Sequence, residues 1–205
     1  MISSKTCRTT KILFPIYQNF MQQITFITGN QAKVEWLQKF LHLPIDNKKI
    51  SLIEIQSLDL EEVVLYKAKE AYAQTKKPVL VEDTSLVFAA MNKLPGHLIK
   101  WFLEELGNDG LCNLLNQYED RSAIAEVAFC FYDGKNIKIF TAKKHGEIAR
   151  KPNGNNGFGW DAIFIPEGSD KTWADMDEEE IRETSLRRIA DEELEEYLKI
   201  AYEKS

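Results

Sequence analysis

The stretch Val79-Leu80-Val81-Glu82-Asp83-Thr84-Ser85-Leu86 sets two adjacent carboxylates and a hydroxyl directly after a run of apolar residues. Pro78 to Val81 reads as a fully buried strand, with Glu82-Asp83-Thr84 at its carboxyl end, where open α/β sheets gather ligand groups. Neighbouring strand residues face opposite sides, so the pair is more than solubilising charge. The plainer alternative is that one carboxylate caps the next helix while the other is solvated. Ile50 to Ile55 reads as another strand, and Glu54 near its end reaches the same edge if the two strands pair in parallel. Glu54 with Asp83 then makes a hard, oxygen-only cation site. Magnesium suits such a site, because it binds through one or two carboxylates, several waters and substrate phosphates.

A second candidate is Thr28-Gly29-Asn30, with Lys33 one turn further on, between an apolar run and a helical pattern. A helix N-terminus carries unpaired N–H groups and a partial positive charge, which suits phosphate. Asn30 also fits an ordinary helix cap and Gly29 an ordinary turn. The segment is neither a Walker loop nor a dinucleotide fingerprint, since the glycines those need are absent. Further along, Gly157-Phe158-Gly159-Trp160-Asp161 offers backbone close to a ligand, two aromatic rings able to stack a base, and a carboxylate; a tight turn with a core tryptophan is the competing account. Thr184-Ser185-Leu186-Arg187-Arg188 sets adjacent arginines in a helix, where either could grip phosphate or a base carbonyl, or simply face solvent.

The elements that must position these groups follow from periodicity and turn signals. A strand over 24–28, a helix over 30–43, the strand 50–55, a helix over 61–75 and the strand 78–81 form a βαβ series with parallel connections. The first helix carries two apolar stripes, Val34/Leu37/Leu41 and Trp36/Phe40. Residues 98–107 are amphipathic with a glycine stop, and a short second helix follows. Alternation over 122–132, then Asp133-Gly134, then 136–149 predicts a long antiparallel hairpin. Residues 151–159 read as a loop ahead of a strand within 161–166, and the last helix stripes Ala190, Leu194, Tyr197, Leu198 and Ala201 on one side. The expectation is one α/β unit with an elongated mixed sheet flanked by helices, in two lobes around a central cleft.

Bulk properties narrow the partners. The chain has 205 residues, 44% hydrophobic and 28% charged, enough for one sizeable domain. A net charge of −6 argues against nucleic-acid binding but leaves a nucleotide open. Cys7, Cys112 and Cys130 lack metal or disulfide spacing and point to a reducing, cytoplasmic setting, while His42, His97 and His145 are too scattered for zinc. No apolar run approaches the roughly 18 residues of a membrane span. Residues 1–20 hold no acid and resemble a transit peptide; with Met21 as the working start, the fold reading takes 21–205 as one domain and sets 1–20 aside as an extension, disordered or untranslated.

Taken in order, Thr28-Gly29-Asn30 with Lys33, Glu54-Ile55-Gln56, Val81 to Leu86, Leu94-Pro95-Gly96 with Ile99-Lys100-Trp101-Phe102, Phe158 to Asp161, Ala174-Asp175-Met176 and Ser185 with Arg187-Arg188 resemble the inosine triphosphate pyrophosphatase family. The resemblance runs from about Ile24 into the last helix. It implies a homodimer and Mg²⁺-dependent cleavage of deaminated purine nucleoside triphosphates, such as ITP, dITP and XTP, to monophosphate and pyrophosphate. Thr28, Gly29, Asn30 and Lys33 then match the triphosphate loop, and Lys67 a lysine reaching the nucleotide. Glu54 matches the metal carboxylate and Asp83 the metal-binding general base, with Glu82 beside it in the metal set and Thr84 in the substrate set. Phe158, Gly159, Trp160 and Asp161 match the motif around base and sugar, and Ser185 and Arg187 the base-reading segment. The family's histidine there is Leu186, and its lysine falls at Ile181, with Arg182 as a stand-in. Those departures leave relaxed or shifted base specificity open. A non-catalytic nucleotide-binding module of the same fold is the third reading.

Overall fold

The computed structural model describes residues 24–40 and 45–203, with side chains over 24–39 and 45–200. The expectations for residues 1–20, Met21, Cys7, His42 and the helix end at 41–43 lie outside those residues, and the stripe positions Phe40 and Ala201 outside the described side chains. Among the described residues a seven-stranded mixed sheet runs in the order β2 (Asp46–Lys48), β1 (Thr25–Ile27), β3 (Val79–Phe88), β5 (Ser122–Tyr132), β6 (Ile137–Ile148), β7 (Phe164–Pro166), with β4 (Pro95–Gly96) also on β3. Five helices flank it: α1 (Gln31–Phe40), α2 (Leu60–Thr75), α3 (Ile99–Asn113), α4 (Glu178–Thr184) and α5 (Leu186–Glu203). The parallel pair β1–β3 and the antiparallel β5–β6 hairpin follow the expected pattern, and β1–β2 is parallel through a different second strand.

Two strand expectations need correction. Residues 50–55 are not a strand; the second strand is Asp46–Lys48. The apolar residues of 50–55 do not form one buried face, since Ile53 is 65% exposed. The segment hydrogen-bonds to α2 instead: the Ile53 N–H donates to Glu70 Oε2 at 2.7 Å, and Gln74 Nε2 donates to the Ser51 carbonyl at 3.4 Å. Nor does β3 end at Glu82. It continues to Phe88, because β5 supplies an antiparallel partner for every residue from Val79 to Phe88.

On its other edge β3 is only partly covered. β1 pairs with Val79 and Leu80, β4 with Leu86 and Val87, and residues 81–85 between them have no strand partner there. This gap, beside the carboxyl end of β1, is where the chain can admit a ligand. Leu80, Leu86 and Phe88 point into the larger core with α1, α3 and α5; Val79 and Val81 point into a smaller one under α2. Strand alternation therefore sends Glu82 to one face and Asp83 to the other. Within Ile99–Asn113 two helices meet at Gly107, whose φ of 65° and ψ of 178° are not helical, in line with the expected glycine stop and second helix.

Candidate functional site

The turn after β1 builds one wall of the gap. Thr28 Oγ1 accepts from the Asn30 N–H at 3.1 Å, and Asn30 Oδ1 accepts from the Ala32 N–H at 3.0 Å, so Asn30 caps α1. Lys33, one turn in, reaches Glu82 Oε1 at 3.3 Å, and the Nε of Arg187 donates to the same oxygen at 3.2 Å. Glu82 is 5% exposed. A carboxylate this buried is held by the two cations, which it positions in turn. Glu82 therefore lies across the sheet from Asp83, and its expected place in a metal set with Glu54 and Asp83 is not what the geometry provides.

Asp83 and Glu54, the other two expected metal ligands, meet on the opposite face. Lys67 Nζ, from α2, donates to Asp83 Oδ2 at 3.0 Å and to Glu54 Oε1 at 3.2 Å. Burial alone would raise the Asp83 pKa. The Lys67 and Lys33 ammonium groups, with hydrogen bonds from Lys67 and the Thr84 N–H, outweigh it and hold the carboxyl below the usual aspartate range. Burial would likewise lower Lys67, but Asp83 and Glu54 hold its proton more tightly than usual. Two carboxylates from separate segments thus meet at one cationic centre. That donor set suits a hard cation carried by one or two carboxylates and substrate phosphates. Among the described residues no group of three or more His, Cys, Asp or Glu side chains is placed to hold a metal, so phosphate oxygens and water would complete such a shell.

A cavity of about 130 Å³ opens beside Asp83, lined by Asn30, Lys33, Thr84, Lys100, Arg187 and the Phe158–Asp161 turn, among others. Three cationic side chains and a helix N-terminus around a space of this size suit phosphate groups. A larger cavity of about 390 Å³ adjoins it, lined by Trp36, Phe158, Asp161, Ile181, Ser185 and Leu186, among others. Phe158, Asp161 and Arg187 belong to both. Asp161 Oδ2 accepts from the Phe158 N–H at 2.8 Å; burial pushes its pKa up to about 6, against the pull of Arg187 and that N–H. Gly157 is required here. At φ 71° an added Cβ would stand 2.4 Å from Asp161 Oδ2.

The geometry thus brings Asn30, Lys33, Asp83, Thr84, Phe158, Gly159, Trp160, Asp161 and Arg187 around one cavity, with Lys67 and Glu54 at Asp83 and Ser185 in the adjoining space. Ser185 Oγ accepts from the Arg187 N–H at 3.2 Å. Thr28 and Gly29 shape the turn. Trp160 is buried against Phe164 and Trp173, with centroids 6.0 and 5.8 Å away, so only part of it reaches the cavity. Arg182 is exposed and lines neither cavity, contrary to its expected stand-in role. Sequence reasoning assigned no role to Lys100, His97, Trp36 or Asp191. Lys100 stood inside the Ile99-Lys100-Trp101-Phe102 motif and Trp36 in an apolar stripe of the first helix, while Asp191 carried no local signal.

The model of the Ham1 family matches residues 24–197. The chain belongs to the Ham1 family. Among curated Ham1 relatives, the inosine triphosphate pyrophosphatase of Pyricularia oryzae is 45% identical over 175 residues, 83% of this chain and 90% of that protein. That of Schizosaccharomyces pombe is 40% identical, covering 87% and 96%. The solved HAM1 protein of Coxiella burnetii superposes with a TM-score of 0.73 at 28% identity, covering 86% of this chain and 98% of that one. The Ham1 protein of Staphylococcus aureus gives 0.71 at 25% identity, covering 87% and 99%. The mixed sheet and flanking helices are therefore the Ham1 fold. Among the described residues no helix is long and apolar enough to cross a membrane.

Proposed function

We propose that this chain hydrolyses deaminated purine nucleoside triphosphates, such as ITP, dITP and XTP, to the nucleoside monophosphate and pyrophosphate. Kinship with inosine triphosphate pyrophosphatases supports the reaction class. The observation that carries the site assignment is the small cation-lined cavity with the Asp83 carboxylate in its wall. Asn30, Lys33, Lys100 and Arg187 bind the triphosphate there. Asp83, ionised and aimed by Lys67 and the Thr84 N–H, orients a water molecule and accepts its proton. The water oxygen forms the new bond to the α-phosphorus, and pyrophosphate departs as the α–β anhydride bond breaks. Magnesium, held by Asp83 and Glu54, would supply neutralisation of the phosphate charge. Homodimeric assembly in the cytoplasm completes the reading.

One observation favours a broader base range. Ile181 and Leu186 both line the larger cavity, and neither can donate a hydrogen bond to a purine six-oxo group. A panel of ITP, XTP, GTP, ATP and UTP, with pyrophosphate and orthophosphate detected separately and Mg²⁺ present or absent, tests both readings. Orthophosphate in place of pyrophosphate, or no release from any nucleotide, refutes the reaction. Equal kcat/KM for ITP and ATP selects the broader range.

A further inference from the structure

The larger cavity has apolar side chains at Ile181 and Leu186, and another of its walls is built with care. Trp36 lies on α1 three residues after Lys33, so the helix that offers a cation to the small cavity offers an indole to the large one. Its Nε1–H donates to Asp191 Oδ2 at 3.2 Å, joining α1 to α5 across 155 residues of sequence. Asp191 stands four residues after Arg187, on the same side of α5. The Arg187 guanidinium carbon lies 5.9 Å from the Trp36 ring centre and 5.0 Å from that of Phe158, within cation–π range of both. Arg187 is thus fixed by two rings and Glu82.

Asp191 costs the fold stability at its site. It is 3% exposed, burial and the neighbouring Glu82 push its pKa up to about 7, and its Oδ1 has no hydrogen-bond partner among the described residues. A leucine on this face would suit the surrounding core better. The hydrogen bond that Asp191 accepts from Trp36 fixes the indole at the cavity wall.

We propose that Trp36 is a specificity-determining wall against which a purine base packs, and that Asp191 is the positioning residue that holds the indole there. This rests on the nucleotide reading above and adds to it how the base is chosen. An indole wall with an aromatic partner in Phe158 rewards ring area. It selects purine over pyrimidine triphosphates, and distinguishes six-oxo from six-amino purines only weakly.

The test is steady-state pyrophosphate release from ITP, ATP and UTP by the full chain. Trp36→Ala should raise KM for both purine nucleotides at least tenfold, leave kcat within about threefold, and lower the purine-to-pyrimidine ratio of kcat/KM about tenfold. Asp191→Leu should raise purine KM several-fold, whereas Asp191→Asn, which keeps an acceptor for the indole, should stay near wild type. In a Trp36→Phe background, which has a ring but no N–H, Asp191→Leu should change KM no further. That cycle also decides the matter if Trp36→Ala does not fold. Unchanged purine KM in folded Trp36→Ala, or equal effects of Asp191→Leu with and without the indole N–H, overturns the wall. A wild type that releases pyrophosphate from no nucleotide overturns the function itself; an active wild type with indifferent variants overturns this inference alone.

Discussion

Replacing Asp191 by asparagine removes a buried titratable group, and with it a pH-dependent part of the stability. In the folded chain burial, then Glu82, raise the Asp191 pKa from its ordinary 3.8 to about 7. Below about pH 4 the carboxyl is protonated in both folded and unfolded states and contributes nothing to the difference. Between pH 4 and 7 the unfolded chain releases the proton while the folded one keeps it, so stability falls as pH rises; above 7 the loss is complete. A shift of about 3 units at 1.36 kcal/mol per unit sets this loss at about 4 kcal/mol. Asparagine does not titrate. Its Oδ1 still accepts from Trp36, while its Nδ2 occupies the position without a partner, at a roughly constant cost of about 1–3 kcal/mol. That constant cancels when the two proteins are compared across pH. Urea unfolding of both proteins at fixed protein concentration, from pH 4.5 to 8.5, should show the variant gaining about 2–4 kcal/mol relative to wild type. A difference flat within about 1 kcal/mol would mean that Asp191 ionises at its ordinary pKa, and that the burial argument is wrong.

Asp83→Asn should keep nucleotide binding within about tenfold and lower kcat at least ~100-fold, the scale of a lost general base; wild-type turnover would refute the role. Glu54→Gln should raise the Mg²⁺ concentration needed for half-maximal rate, since an amide is a poorer hard-cation ligand than a carboxylate, and a superimposable titration would remove Glu54 from the site. Ile181→Lys, at the half-buried rim of the larger cavity, should raise the ITP/ATP ratio of kcat/KM about five- to tenfold, one hydrogen bond of roughly 1 kcal/mol; adding the nearly buried Leu186→His should also cost stability. Cys112 and Cys130, buried with thiols pushed up to about 11 and about 12, should resist alkylation at pH 8 until the chain unfolds, as mass spectrometry would read directly.

Much of the site was legible in the chain because its signals are local. Asn30 as a cap, Lys33 one turn later, the Asp133-Gly134 hairpin turn and the alternation of β5 each depend on residues within a few positions. The adjacent Glu82 and Asp83 announced opposite faces by strand period alone. Which face met which partner was not local. Glu82 serves Lys33 and Arg187 and not a cation, because α5 returns across the sheet from more than 100 residues away. The extent of β3 was likewise decided by β5, whose unbroken register carries the strand past its charged residues. Residues 50–55 alternate well enough for a strand, yet they pair with none, and side chains of α2 meet their backbone groups. The sequence by itself determined the types of element and the kinds of charge each presents, since both follow from short-range period and composition. Only the tertiary structure decided which charges face one another, because pairing across a sheet depends on register and helix return, and neither is encoded within any single segment.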